Sequence, residues 1–125
     1  MKRRDLPLVY ACSGCSDVAQ LANDVAVRLD HRNKAEMSCI AGVGGGVPSL
    51  VRAACSGRPI IAIDGCRLHC VAACLEQCSV VADRHVRLYE QGYKKHIGCK
   101  VGGIEVSRVV LHVEQLIDGL QLELN

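Results

Sequence analysis

Aromatic residues are almost absent from this sequence, which has no Trp, no Phe and only three Tyr among 125 residues. Proteins that bind single-stranded nucleic acid stack the bases on aromatic side chains. An excess of positive charge is missing as well, because 15 basic residues stand against 13 acidic ones and leave a net charge of +2. Only Lys2-Arg3-Arg4 and Lys94-Lys95 form basic clusters, and both are expected on solvated surface. We therefore expect no nucleic-acid partner.

Long hydrophobic runs are also missing. The longest apolar stretches have the length of a strand, far below the roughly 20 residues that cross a membrane. The basic residues at positions 2–4 precede only a brief apolar stretch that passes into Cys12, so no secretory signal is expected. The sequence therefore predicts one domain over residues 1–125, located in the cytoplasm and without a membrane partner.

Cysteine is the residue that is present in excess. Nine occur, at positions 12, 15, 39, 55, 66, 70, 74, 78 and 99. In a reducing cytoplasm, many thiols indicate binding of a metal or cluster, or redox chemistry, rather than a disulfide scaffold.

Strand-like and helix-like segments alternate along the chain. Strands are predicted at 6–10, 37–41, 59–63 and 86–89, and helices at 16–33, 49–57, 68–77 and 104–119, with a flexible glycine-rich connector at 42–48 and a loop at 92–103. The 59–63 segment is apolar throughout, as in parallel strands covered by helices on both faces. We predict an α/β fold with a small, open, mainly parallel four-stranded sheet between helices, of the Rossmann or flavodoxin type.

Five cysteines follow the predicted strands. Cys12 and Cys15 follow the first strand, Cys39 lies within or just past the second, and Cys66 and Cys70 follow the third. Open parallel sheets bind ligands beyond the carboxyl ends of their strands. We therefore predict that these thiols converge on one edge of the sheet and bind a metal ion or cluster.

The cysteines at 66, 70, 74 and 78 step by four along the predicted helix. Each step rotates the side chain by roughly 40°, so two or three of the four can share a face. We expect Cys66 and Cys70 to bind metal, leave Cys74 open between ligand and buried thiol, and assign Cys78 to core or surface. Cys55 is expected to be structural.

The sequence indicates the roles of other polar residues less clearly than those of the cysteines. Asp64 is expected to cap the following helix or to orient a ligand. His69 is expected on the surface or beside the ligands, and the histidines at 31, 85 and 112 on the surface. His96 and Cys99 could reach the same edge if their loop folds inward, and their roles stay open.

Several ordered motifs resemble the DGC domain, a family of small zinc-binding proteins named for an Asp-Gly-Cys motif. The motifs are Tyr10-Ala11-Cys12-Ser13-Gly14, Gln20-Leu21-Ala22-Asn23, Met37-Ser38-Cys39-Ile40-Ala41-Gly42 and Ile63-Asp64-Gly65-Cys66 with Cys70. The resemblance implies an α/β domain with zinc bound by cysteines that map onto Cys12, Cys39, Cys66 and Cys70. This chain adds Cys15, Cys74 and Cys78 to that set.

The leading interpretation is a cytoplasmic metal-binding protein that holds Zn²⁺ with cysteine thiolates and senses or carries a metal or sulfur species. One alternative is an iron-sulfur protein for electron transfer or sensing, in which Cys15 and Cys74 supplement the other four thiols. The other is a thiol redox or sulfur-transfer enzyme that uses the Cys12-x-x-Cys15 pair. Enzymatic activity, the protein partner and the oligomeric state stay open.

Overall fold

The computed structural model describes residues 3–93 and 102–124, and within them strands and helices alternate. In chain order they are β1 (Leu8–Ala11), α1 (Asp17–His31), β2 (Glu36–Met37), α2 (Ile40–Gly44), α3 (Pro48–Ala54), β3 (Ile60–Asp64), α4 (Cys70–Glu76), β4 (Arg84–Arg87) and α5 (Gly103–Leu124). Short 3₁₀ helices occur at Arg3–Asp5 and Leu88–Gln91. No helix of the described segments is long and apolar enough to cross a membrane.

The four strands form one parallel sheet in the order β2-β1-β3-β4. β1 pairs with β2 on one side and with β3 on the other, and β4 lies at the far edge beside β3. The order of the strands reverses between β1 and β3, which is where open α/β sheets bind their ligands. The predicted α/β fold with an open parallel sheet is confirmed.

Each face of the sheet is covered by helices. Val9, Ala11, Ile61 and Ile63 pack with residues of α1 and α5 on one face. The alternate residues Leu8, Tyr10, Ile60 and Ala62 pack with residues of α2, α3 and α4 on the other. Because successive side chains point to opposite faces, a central strand between two helical layers is apolar at every position.

The two long helices follow local signals in the sequence. The Ser16 hydroxyl accepts a hydrogen bond from the backbone N–H of Ala19 at 3.2 Å and caps α1. The apolar stripe of α5 is buried at Val106, Val109, Val110, Val113, Ile117 and Leu120. Ile104, near the start of the helix, is 68% exposed and does not belong to that stripe.

The glycine-rich segment differs from its prediction. β2 ends at Met37, and residues 40–44 form α2 instead of a strand followed by a flexible connector. A Cβ on Gly42 would collide with the Leu50 side chain, and one on Gly44 would lie 2.7 Å from the sulfur of Cys74. Glycine in a helix is less favourable than alanine by about 1 kcal/mol per residue. Tight packing of α2 against α3 and α4 thus overrides this low helix propensity.

β4 and the residues that follow it differ from the prediction in where the strand begins and in how it continues. β4 begins at Arg84, two residues earlier than predicted, and a 3₁₀ helix follows it directly. Residues 94–101 lie outside the described residues. The Lys94-Lys95 cluster and the candidates His96 and Cys99 fall in that range.

Candidate metal centre

Four cysteines line one cavity of about 160 Å³ beyond the carboxyl ends of β1 and β3. They are Cys12 and Cys15 after β1, and Cys66 and Cys70 after β3. The other polar side chains of its lining are those of Ser13, Ser16, Asp64 and His69. The structure therefore brings together four of the six candidate ligands at the point where the strand order reverses.

Cys12 is a partly buried thiol of this cavity. The backbone N–H of Gly65 donates a hydrogen bond to its sulfur at 3.2 Å and so connects the two cysteine-bearing segments. The pKa of Cys12 is raised to about 11, chiefly by burial and in smaller part by the charges of Asp64, Cys66 and Cys70, whereas the Gly65 N–H acts to lower it. Without a cation the Cys12 side chain is therefore a neutral thiol near neutral pH, and a bound metal ion would reverse that preference.

Gly65 is required by a close approach between two backbone segments. A Cβ at this position would lie 2.6 Å from the carbonyl oxygen of Val18 and 2.7 Å from its carbonyl carbon, in the first turn of α1. Glycine allows the turn after β3 to lie directly against α1, and this contact brings the Gly65 N–H to Cys12. The close approach therefore explains why the middle residue of the Asp-Gly-Cys motif is glycine.

Cys66 lies in the turn before α4, so the helical step of four does not relate it to Cys70, and that part of the prediction is wrong. His69 has a left-handed backbone conformation (φ 55°, ψ 47°), and the helix begins only at Cys70. A non-glycine residue in this conformation interrupts the helical path. Cys66 and Cys70 nevertheless line the same cavity.

Asp64 is 1% exposed, and its carboxylate holds α4 in place. Its two oxygens accept hydrogen bonds from the backbone N–H groups of Val71 at 2.9 Å and Ala72 at 3.3 Å, so the predicted cap is observed. Its Oδ2 is also 2.7 Å from Nε2 of His85. A buried carboxylate needs such partners, because an unpaired buried charge is strongly destabilising.

A polar chain leads from Asp64 to the surface. The rings of His85 and His69 meet edge to face with centroids 4.9 Å apart, and Nε2 of His69 is 2.7 Å from the Tyr89 hydroxyl oxygen. The Arg67 guanidinium lies 4.7 Å from the centre of the Tyr89 ring. The surface prediction for His85 is wrong, since β4 pairs His85 with Ala62 of β3 and directs the ring to Asp64. A predicted fourth strand that began at Arg84 instead of Val86 would have included His85 and placed it in the sheet.

Cys39 and Cys74 are not among the residues that line this cavity. Cys39 is exposed at the start of α2 and borders a separate groove with Asp30 and His31. The sulfur of Cys74 packs on Gly44 of α2, and burial, followed by the charges of Cys70 and Asp64, raises its pKa. Cys74 therefore behaves as a helix-packing residue next to the cavity.

The donors of the cavity are not arranged as a finished coordination sphere. Within residues 3–93 and 102–124, no three His, Cys, Asp or Glu side chains are positioned to hold a metal ion. The donor chemistry is that of soft thiolates, which suits Zn²⁺, Cu⁺ or an iron-sulfur cluster. Metal binding here would require the sulfur atoms to move closer together.

Comparison with known proteins connects this site to a family. The family model for the DGC domain matches residues 8–113, which include the whole sheet and all the cysteines of the cavity. The chain is also 59% identical over 112 residues to the anaerobic and virulence modulator AnvM of Pseudomonas aeruginosa, and the match covers 90% of this chain and 86% of AnvM. No solved structure matches the chain. On the family match and this identity, the chain belongs to the DGC-domain family.

Proposed function

We propose that this protein is a regulatory metal-binding protein that holds Zn²⁺ with the thiolates of Cys12, Cys66 and Cys70. The observation that supports it is the convergence of these thiols with Cys15 on one cavity at the strand-order reversal. Four thiolates in a tetrahedral arrangement, with Zn–S distances of about 2.3 Å, form a closed zinc site.

Cys15 is the proposed fourth ligand. It lines the cavity, whereas Cys39, the position implied by the family resemblance, borders a different groove. Cys15 is exposed and lies in the turn ahead of the Ser16 cap, so rotation of its side chain can bring its sulfur toward Cys12.

The rest of the site would prepare the thiols for a cation. The Gly65 N–H already donates to the Cys12 sulfur, an interaction that favours the thiolate form. The Asp64 carboxylate, paired with His85 and with two N–H groups of α4, holds the helix that carries Cys70. The 65–69 turn, which carries Cys66, can then adjust while α4 stays anchored.

A regulatory role is supported by the relative from Pseudomonas aeruginosa, whose name describes it as a modulator. We extend that role to this chain: metal occupancy of the cavity would set the conformation of the 65–69 turn. The exposed Leu68 and Arg67 of that turn would present the change to a partner protein.

The proposal is tested by purifying the protein anaerobically and measuring zinc, iron and acid-labile sulfide. We expect about one zinc per chain, as a tetrathiolate site requires. Cys66→Ser, Cys70→Ser and Cys15→Ser should each lose most of the zinc, whereas Cys39→Ser should keep it. Cys55→Ser is the matched control, because it removes an exposed thiol that does not line the cavity.

Two results would contradict the proposal, and a third would change its fourth ligand. Iron with stoichiometric sulfide and a visible absorption band would indicate an iron-sulfur protein instead. Protein free of metal and sulfide, with Cys12 and Cys15 exchanging readily with small disulfides, would favour a redox enzyme. Zinc lost in Cys39→Ser but kept in Cys15→Ser would replace Cys15 by Cys39 as the fourth ligand.

A further inference from the structure

A second pair of cysteines lies in the helical layer that carries α3 and α4. Cys55 is the residue at which α3 ends, and Cys78 follows the last turn of α4. The Cys55 thiol donates a hydrogen bond to the carbonyl oxygen of Cys78, with 3.9 Å between sulfur and oxygen. The Cys78 thiol donates to the carbonyl oxygen of Leu75 at 3.4 Å. Two sequence-distant thiols thus meet where two helices end side by side.

This pair is separate from the metal cavity. A few residues beyond Cys78, Asp83 accepts a hydrogen bond from the backbone N–H of Ile60, the first residue of β3. The cavity lies beyond the last residue of the same strand, Asp64. The pair is therefore near one end of β3 and the metal cavity is at the other.

We propose that Cys55 and Cys78 are a reversible oxidation site that closes to an intramolecular disulfide by exchange with a low-molecular-weight disulfide. Cys55, the exposed thiol, loses its proton and attacks one sulfur of the small disulfide, which releases one small thiol and leaves a mixed disulfide. Cys78 then attacks the Cys55 sulfur and releases the second small thiol. The protein loses two thiol hydrogens, and the small disulfide is reduced to two thiols.

The surroundings of the pair favour a lasting disulfide over a rapidly exchanging one. Burial raises the pKa of the Cys78 thiol, and the hydrogen bond and charge of Cys55 raise it further. The carboxyl ends of helices carry partial negative charge, which also disfavours thiolates. Catalytic dithiols are oxidising because their reduced form is stabilised as thiolate, and Cys78 lacks that stabilisation.

The disulfide would close a ring that contains β3, the 65–69 turn and the helix with Cys70. A ring of about 24 residues restricts the unfolded chain enough to raise the melting temperature by roughly 10 °C in a domain of this size. Oxidation at Cys55 and Cys78 would therefore stabilise the segment that carries Cys66 and Cys70 without using either thiol.

The test exposes the full-length protein to buffers with graded ratios of reduced to oxidised glutathione, followed by acid quenching and sequencing of the linked peptides by mass spectrometry. We expect a Cys55–Cys78 bond in the wild type that is reversed by dithiothreitol. Cys78→Ser should accumulate glutathione on Cys55. The matched control Cys55→Ser/Ser56→Cys keeps an exposed thiol one residue further on and should not form the bond.

Two results would overturn the inference. One is a wild-type protein in which Cys55 stays reduced, or pairs with another cysteine, at ratios that oxidise the exposed Cys39. The other is a Cys55→Ser/Ser56→Cys variant that links to Cys78 as readily as the wild type, since proximity at position 55 would then not govern the reaction.

Discussion

Replacing Gly65 by alanine places a methyl group between the Asp-Gly-Cys turn and α1. The added carbon would lie 2.6 Å from the oxygen and 2.7 Å from the carbon of the Val18 carbonyl, and 3.0 Å from the Val18 Cβ. Two of these atoms are backbone, and the Val18 side chain is 1% exposed. No flexible side chain can move aside, so the turn itself must shift away from α1.

The expected loss of stability follows from two opposing effects. Overpacking of a rigid contact destabilises by about 1–3 kcal/mol. Alanine also has fewer backbone conformations than glycine in the unfolded chain, which stabilises the folded state by about 0.4–1 kcal/mol. We therefore expect Gly65→Ala to lower the free energy of unfolding by about 1–2 kcal/mol, or about 1 M in the urea midpoint. The shifted turn should also weaken zinc binding, because the Gly65 N–H would leave the Cys12 sulfur.

Urea unfolding of the reduced, metal-free protein measures the first effect, and a competition titration with a zinc chelator measures the second. Gly119→Ala is the matched control, since this glycine lies within α5 with no atom near the position of an added Cβ. Its replacement should stabilise the protein by about 0.5–1 kcal/mol through helix propensity. A Gly65→Ala variant as stable as Gly119→Ala, with unchanged zinc affinity, would refute the steric argument.

Two further predictions concern buried and partly buried carboxylates. Asp64→Ala should destabilise the protein by about 3 kcal/mol in urea unfolding, because His85 and the N–H groups at the start of α4 lose their acceptor. Asp118→Ala, which replaces an exposed carboxylate, should change the stability by less than about 0.5 kcal/mol. Equal effects of the two substitutions would contradict the role of Asp64. Asp30 accepts hydrogen bonds from Arg3 at 2.6 Å and from the Met37 N–H at 2.8 Å, and the Arg3 bond is the main reason that its pKa is lowered from 3.8. A carboxylate whose pKa is lowered by folding stabilises the fold at pH values above its pKa in the unfolded chain, and this contribution is lost as pH falls through its pKa in the folded protein. Asp30→Asn should therefore be less stable than the wild type at about pH 7 and equally stable at about pH 2. A difference in stability that persists in acid would exclude this explanation.

Much of the fold was predictable from local patterns. The alternation of apolar strands with amphipathic helices indicated the parallel sheet, and the Ser16 cap and the stripe of α5 follow from the spacing of residues within a few turns. These signals are local because burial on one face of a helix, or on both faces of a strand, repeats with the period of that element.

The position of four candidate ligands also followed from the sequence, through a rule of topology. Residues that follow parallel strands reach one edge of the sheet, so the sequence predicts Cys12, Cys15, Cys66 and Cys70 at the edge where their cavity lies. The rule places residues at an edge but does not orient their side chains. Cys39 follows β2 on that edge and yet borders another groove.

Only the tertiary structure decided the features that depend on distances between elements. The glycine-rich segment is helical because α2 packs on Leu50 and Cys74, and Gly65 is needed because the turn meets α1. The pairing of Asp64 with His85 depends on the register of β4, and that of Cys55 with Cys78 on where two helices end together. Such contacts join residues far apart in the chain, and no local periodicity encodes their separation. The sequence by itself determined which elements form and which thiols follow the strands, and packing determined which side chains meet.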